Sequence, residues 1–196
     1  MPRFGVLGSG KGSNFRALTE AFQVGTLCAQ PVIVLSDVEH AGILDLGREL
    51  ELPSRFVSPG PFRTKMSPAA EAEIVRLLRE AKVDFVVLAG FMRVIKELLL
   101  QAFPRRILNI HPSLLPAFRG LEAWRRAVEA GVPEAGCTVH LVDFGVDTGR
   151  ILGQSRVPLL YGDTAESLYA RIQIAEHELY PRIVREFAEK LGTPEN

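Results

Sequence analysis

The strongest constraint on this chain is an alternation of two hydrophobic periods. Short apolar, often β-branched runs recur at Phe4–Gly8, Pro31–Leu35 (PVIVL), Arg55–Ser58, Asp84–Gly90 (DFVVLAG) and Ile107–Ile110. Helical patterns stand between them. Ser13 or Asn14 can cap a helix that carries Phe15, Leu18 and Phe22 on one side, and Ala41–Leu50 reads as a second. Ser67, followed by Pro68, opens a third through Ala81, with Ile74, Leu77, Leu78 and Ala81 as its buried stripe. The run DFVVLAG lacks polar alternation, as expected of a strand covered on both faces. Strand–helix alternation of this kind predicts βαβ units and an α/β fold with a doubly wound, mostly parallel, Rossmann-like sheet.

The later sequence adds other elements. A short helix carries Val94, Leu98 and Leu99, and Leu121–Ala130 reads as another. Strands at Cys137–Val142 and Ile151–Leu160 pair around the turn Gly145–Gly149. A long last helix is expected to be capped by Asp163 with Glu166, its core stripe being Leu168, Ile172, Leu179 and Ile183. A polar tail follows from Gly192. The 196 residues suit a single domain with two halves, about 1–105 and 106–190.

Ligands of such sheets bind outside the carboxyl ends of the strands. The chemistry is therefore expected near Gly8–Asn14, Phe91, His111 and the 143–149 turn. Composition narrows the class of ligand. Lys+Arg and Asp+Glu are both 23, a zero balance that argues against nucleic acid as a partner. Cys28 and Cys137 are too few and too distant for a disulfide framework or a zinc site, so no metal is expected. No secretory segment is visible, and the longest apolar run, Val83–Phe91, is broken by Asp84 and too short for a bilayer. A cytoplasmic protein with no membrane partner is expected.

Four segments carry chemistry. In Gly8-Ser-Gly-Lys-Gly-Ser-Asn14 the glycines permit a tight turn, and the helix that follows offers free N–H groups to a phosphate. The spacing matches neither a Walker A loop nor the dinucleotide fingerprint, which wants Gly where Ser13 stands. In Asn109-Ile-His-Pro-Ser-Leu-Leu-Pro116, Asn109 and His111 share one strand face by their period of two. The chain has only three Asn and four His, so this pairing of an oxyanion donor with a proton carrier stands out. Val142–Gly149 (VDFGVDTG) supplies Asp143 and Asp147 in a glycine-flanked loop without the further oxygen ligands that calcium needs. On the last helix Gln173, Glu176 and His177 share a face suited to a hydroxylated ligand. His40 reads as surface, and His140 as a strand residue without an assigned role.

Together with Leu88-Ala-Gly-Phe-Met-Arg93, these motifs resemble, in order, those of the folate-dependent phosphoribosylglycinamide formyltransferase family. The resemblance runs from residue 4 to about 187. It implies that Gly12, Ser13 and Asn14 hold the substrate phosphate, and that Gln173, Ile174, Ala175 and Glu176 hold its ribose. Met92, Arg93, Val94, Ile95, Asn109, Asp143, Phe144, Gly145, Val146 and Asp147 would line the folate pocket, with Lys65 reaching the folate side. Asn109, His111 and Asp147 would be catalytic. The first half would then be the phosphate half, and the second the folate and catalytic half.

The implied reaction passes a formyl group from 10-formyltetrahydrofolate, a co-substrate, to the amine of glycinamide ribonucleotide. Asn109 and protonated His111 would stabilise the oxyanion, with Asp147 raising the pKa of His111. Both implied partners are small molecules, and the chain would be a monomer or homodimer. Arg119, Glu122 and Arg150 depart from the family pattern, which has Pro, His and Pro there. Rival readings are a formyl-folate hydrolase, a methionyl-tRNA formyltransferase, or a nucleotide-binding module using Asp37 as a ribose ligand.

Overall fold

A computed structural model describes residues 1–192, and the polar tail read beyond Gly192 lies outside them. The elements are β1 (Arg3–Leu7), α1 (Ser13–Gln23), β2 (Gln30–Ser36), α2 (Gly42–Glu49), β3 (Ser54–Phe56), α3 (Pro68–Glu80) and β4 (Phe85–Leu88). They continue with α4 (Glu97–Ala102), β5 (Ile107–His111), α5 (Ala123–Glu129), β6 (Glu134–Leu141), β7 (Ile151–Pro158) and α6 (Ala165–Gly192). All strands join one seven-stranded sheet in the order β3-β2-β1-β4-β5-β6-β7. The first five are parallel; β6 and β7 run antiparallel to their neighbours. The doubly wound sheet with a late strand pair and a long last helix matches the sequence expectation.

Strand alternation sorts the core into two layers. Phe4, Val6, Val34, Phe85, Val87, Leu108 and Ile110 face α1, α2, α5 and α6. Leu7, Ile33, Leu35, Val86, Leu88 and Ile107 face α3 and α4. Gly5 allows α3 to sit close, since a Cβ there would lie 2.4 Å from Leu78 Cδ2. The buried Tyr180 hydroxyl of α6 ties two strands together, lying 2.9 and 3.1 Å from the carbonyls of Leu88 and Leu108.

The layer under α3 and α4 takes Ile107 from β5 and nothing from β6. On that face β5 and β6 carry Asn109, His111, Thr138 and His140, covered by loops instead of a helix. This leaves polar side chains beneath loop backbone, at the carboxyl edge of β5.

Three local expectations shift. Val94 precedes α4 and forms a parallel bridge with Lys65. Leu121 lies outside α5 and is exposed, because the loop after His111 occupies residues up to Glu122. The cap of α6 is Thr164, one residue beyond Asp163. Ser167 N–H donates to Thr164 Oγ1 (3.2 Å) and Thr164 N–H to Ser167 Oγ (3.0 Å), a reciprocal capping box. Asp163 is diverted to Arg171 and to the Leu160 N–H.

Candidate active site

The site begins with strand register. On β5, Asn109 and His111 point to one face; β6 runs antiparallel beside it, and Asn109 pairs with His140. The side chains of this pair meet, Asn109 Nδ2 lying 3.2 Å from His140 Nε2. His140 Nδ1 is 2.8 Å from the Leu141 carbonyl, which can only accept, so that nitrogen carries a proton. Its Nε2 edge then has two neighbours of opposite demand: the Asn109 amide, and Asp147 Oδ1 at 3.5 Å.

Asp147 completes the group from the β6–β7 loop. Its Oδ2 is 3.3 Å from His111 Nδ1 and accepts the Gly120 N–H at 2.8 Å. The residue adopts φ 51°, the left-handed region that Asp and Asn tolerate better than most side chains. Asp143 shapes the same loop, accepting from Gly145 N–H (3.1 Å) and Thr148 Oγ1 (2.6 Å). Asp147 is thus the loop carboxylate that faces both histidines.

Both nitrogens of His111 face acceptors, Nε2 lying 3.0 Å from the Phe118 carbonyl and Nδ1 facing Asp147. A doubly protonated ring would satisfy both. Burial opposes that charge more strongly than Asp147 and the Phe118 carbonyl favour it, so the pKa of His111 falls below its ordinary value. This corrects the expected rise: Asp147 does pull upward, but desolvation outweighs it. For Asp147, burial pushes the pKa up, but the hydrogen bond to His140, the nearby His111 ring and the Gly120 N–H together outweigh it and hold the carboxyl below its ordinary value.

The loop after His111 is held mainly through backbone groups and a buried hydroxyl beneath it. Thr138, fully buried on β6, donates to the Ser113 carbonyl (2.7 Å) and accepts from Leu115 N–H (3.1 Å) and Gln154 Nε2 (2.9 Å). Gln154 also donates to the Leu115 carbonyl. The departures at 119 and 122 leave these contacts intact: Arg126 donates to the Arg119 carbonyl, and the exposed Glu122 pairs with Arg125. The Arg150 carbonyl serves β6, accepting from Leu141 N–H.

On the same rim, Gly12 is the N-cap of α1 at φ 83°, where a Cβ would meet Ile43 Cγ1 at 3.0 Å. A glycine cap has no side chain to occupy the N–H groups of Asn14 and Phe15, so these and the Ser13 N–H are suited to an anion. Asn14 Nδ2 donates to Glu176 Oε2 at 2.8 Å, and both residues are buried. Asn14 Oδ1 is buried without a partner in the structure. Burial, opposed by the Asn14 hydrogen bond, raises the pKa of Glu176 to about 7.

The formyl transferase family model matches residues 2–184. The chain is 39% identical over 186 residues to a phosphoribosylglycinamide formyltransferase of Bacillus subtilis, covering 95% of this chain and 94% of that one. The chain belongs to the phosphoribosylglycinamide formyltransferase family. It is 44% identical over 182 residues to the trifunctional purine biosynthetic protein adenosine-3 of Drosophila pseudoobscura pseudoobscura, covering 92% of this chain and only 13% of that protein. Its fold matches a glycinamide ribonucleotide transformylase 1 structure from Symbiobacterium toebii with a TM-score of 0.92 at 45% identity, covering 100% of this chain and 92% of that one. Membership makes the chain an enzyme, a formyltransferase.

The remaining family positions fall into two groups. Ile95 is buried against the α3–α4 layer and Arg93 is half-buried, while Met92, Phe144 and Val146 are exposed on the rim. Lys65 lies alongside Val94, its ammonium 4.3 Å from the Phe62 ring centre. Along α6, Glu176 turns inward, Gln173 and Ala175 are half-buried, and Ile174 is exposed, as helical rotation requires. Asp37 is enclosed by Ser9 and Arg93 with a side chain 2% exposed, so it is not available to a ribose as the nucleotide-module reading needs. Burial and the nearby Glu176 charge push the Cys137 thiol up to about 12, which makes it a poor nucleophile.

The sequence reading left His140, Thr138 and Gln154 without roles. Alternation along β6 puts Thr138 and His140 on one face. Only the register Asn109↔His140 brings that face to the site.

Among the described residues, no group of three or more His, Cys, Asp or Glu is placed to hold a metal ion. No described helix is long and apolar enough to cross a membrane.

Proposed function

We propose that the chain transfers the formyl group of 10-formyltetrahydrofolate to the amine of glycinamide ribonucleotide in de novo purine synthesis. The observation that carries this reading is the cluster of Asn109, His111, His140 and Asp147 on the same sheet rim as the uncapped N-terminus of α1. The α1 turn suits a phosphate. Glu176 and Gln173 of α6 stand beside it for ribose hydroxyls, and the unpartnered Oδ1 of Asn14 offers a further acceptor. On the other side, residues 92–95, Asn109 and the 143–147 loop form a wall with exposed apolar groups, suited to a flat pterin, with Lys65 near its outer end.

The chemistry follows from the geometry. The amine attacks the formyl carbon, and charge builds on the formyl oxygen. Asn109 Nδ2 has two hydrogens, one engaged by His140, so the second is free to meet the oxyanion. His111 starts neutral because it is buried, so one of its nitrogens lacks a proton and can take the one that the amine loses, relayed through Asp147 or water. Once doubly protonated, the ring has the Phe118 carbonyl and Asp147 as acceptors, and its charge stabilises the oxyanion. The tetrahedral adduct collapses as the bond to N10 of the donor breaks, and that nitrogen receives the proton. Substrate, donor and catalytic groups are drawn from both halves of the chain, as the Asn14–Glu176 contact illustrates, so the two halves act as one domain. We further infer a cytoplasmic monomer or homodimer that needs neither a metal nor nucleic acid.

The test is a transfer assay with glycinamide ribonucleotide and 10-formyltetrahydrofolate, with water as the competing acceptor. Stoichiometric formylation of the amine is expected. Release of formate at the same rate with or without the amine would make the chain a hydrolase and refute the reading.

A further inference from the structure

The carboxyl ends of β1, β2 and β4 meet in a polar junction that the catalytic chemistry does not use. Asp37, just past β2, is enclosed, and its two oxygens are divided between two loops. Oδ1 accepts the Ser9 hydroxyl at 2.5 Å, and Oδ2 accepts Arg93 Nε at 2.7 Å. Ser9 Oγ in turn accepts the Met92 N–H at 2.9 Å. Arg93 Nη1 reaches across to the carbonyls of Phe62 (2.7 Å) and Arg63 (2.5 Å). Beyond it Val94 N–H donates to the Thr64 carbonyl at 2.9 Å. One buried carboxylate thus fixes one guanidinium, and that guanidinium fixes the exposed 62–64 loop against residues 92–94.

We propose that Asp37 is a positioning residue for the formyl donor, clamping Arg93 with the help of Ser9 so that the 62–65 loop and the 92–95 segment form one wall. This rests on the proposed formyl-folate reading. The 62–64 segment is exposed along its length and has little apolar burial to order it. Hydrogen bonds to Arg93 and Val94 therefore set its place. A guanidinium can hold two carbonyls in a fixed direction only if its own orientation is set, and the planar fork of Arg93 is set through Nε by Asp37. The side chain of Arg93 is 18% exposed against 2% for Asp37, so the carboxylate is the enclosed partner and the guanidinium faces the wall.

The test is a set of variants in the full chain, with steady-state kinetics for each substrate and calorimetric binding of tetrahydrofolate. Asp37→Asn keeps the size and one acceptor but removes the charge. It is expected to raise KM for 10-formyltetrahydrofolate about tenfold and to weaken tetrahydrofolate binding in parallel. The KM for glycinamide ribonucleotide and kcat should stay within about threefold. Ser9→Ala should move the donor KM the same way by less.

In the double variant Asp37→Asn/Arg93→Gln no unpaired charge remains at the junction, so it tests the coupling even where the single variant is destabilised. Its donor KM should be no higher than that of Arg93→Gln alone, as for residues acting as one unit. Additive losses, an unchanged donor KM, or an equal rise in both KM values with a lowered Tm would each overturn the proposal. If the unmodified chain fails to transfer formyl at all, the functional reading fails first, and the variants are not what refuted it.

Discussion

Replacing Asp147 by Asn isolates a single charge. Asn keeps the size, tolerates the left-handed φ of 51°, and retains an oxygen for the Gly120 N–H, so the backbone has no reason to move. What is lost is the attraction between a carboxylate and an imidazolium at 3.3 Å. Coulomb's law at that separation gives about 1.3 kcal/mol in a water-like medium and about 5 kcal/mol at an effective dielectric of about 20. The Asp147 side chain is 13% exposed, so the true value lies between these limits. Each 1.4 kcal/mol is about a factor of ten in rate, so kcat should fall by between roughly tenfold and a few thousandfold. Asp147 raises the pKa of His111 against burial, so its removal should carry the His111 titration further down, to lower pH. Single-turnover transfer measures the first effect. NMR titration of the four histidines, with His111→Asn for assignment, measures the second. A kcat within twofold of the parent together with an unmoved His111 titration would refute the argument and reduce Asp147 to a turn residue.

Asn109→Asp exchanges the donor facing His140 for an acceptor, and should cost at least about 10²-fold in kcat with Tm nearly unchanged; near-normal turnover would remove Asn109 from the mechanism. Gly12→Ala forces a Cβ into the left-handed region and against Ile43, at a cost of about 1–2 kcal/mol. It should raise the KM for the phosphorylated amine while sparing that for the folate, and equal losses for both would mean that the turn only supports the fold. Glu176 has a folded pKa of about 7, above its unfolded value, so its contribution to stability is full below the unfolded pKa and is lost as pH rises through about 7. Thermal unfolding of the ligand-free chain should therefore weaken between pH 5 and 8 more in the parent than in Glu176→Gln, and parallel curves would show that this carboxyl ionises normally.

Much of this molecule is legible locally. A period of two against a period of 3.6 marks strands and helices without knowledge of their partners, and their alternation restricts the sheet to a doubly wound form. The same period of two placed Asn109 and His111 on one face of β5, and Gly12 marked a turn that only a glycine makes at φ 83°. The capping of α6 was legible only to within one residue, because Asp163 and Thr164 both satisfy the same local rule, and only the folded chain shows that the Ser167 N–H goes to Thr164.

Other features depend on which distant segments pack together, which no local pattern carries. His140 joins the site because β6 runs antiparallel to β5 with 140 opposite 109, and a shift of one residue would have turned it to the other face. Asp37 and Arg93 lie 56 residues apart and become a pair only where β2 and β4 end on the same rim. The implied mechanism suggested a raised pKa for His111, since Asp147 was expected on the same rim. The fold lowers it, because the loops that bring Asp147 close also exclude water, and desolvation acts on the whole ring. The sequence by itself determined the elements, the turn and the facing of β5; tertiary packing decided register, burial and therefore charge, since those depend on what covers a residue rather than on what adjoins it in the chain.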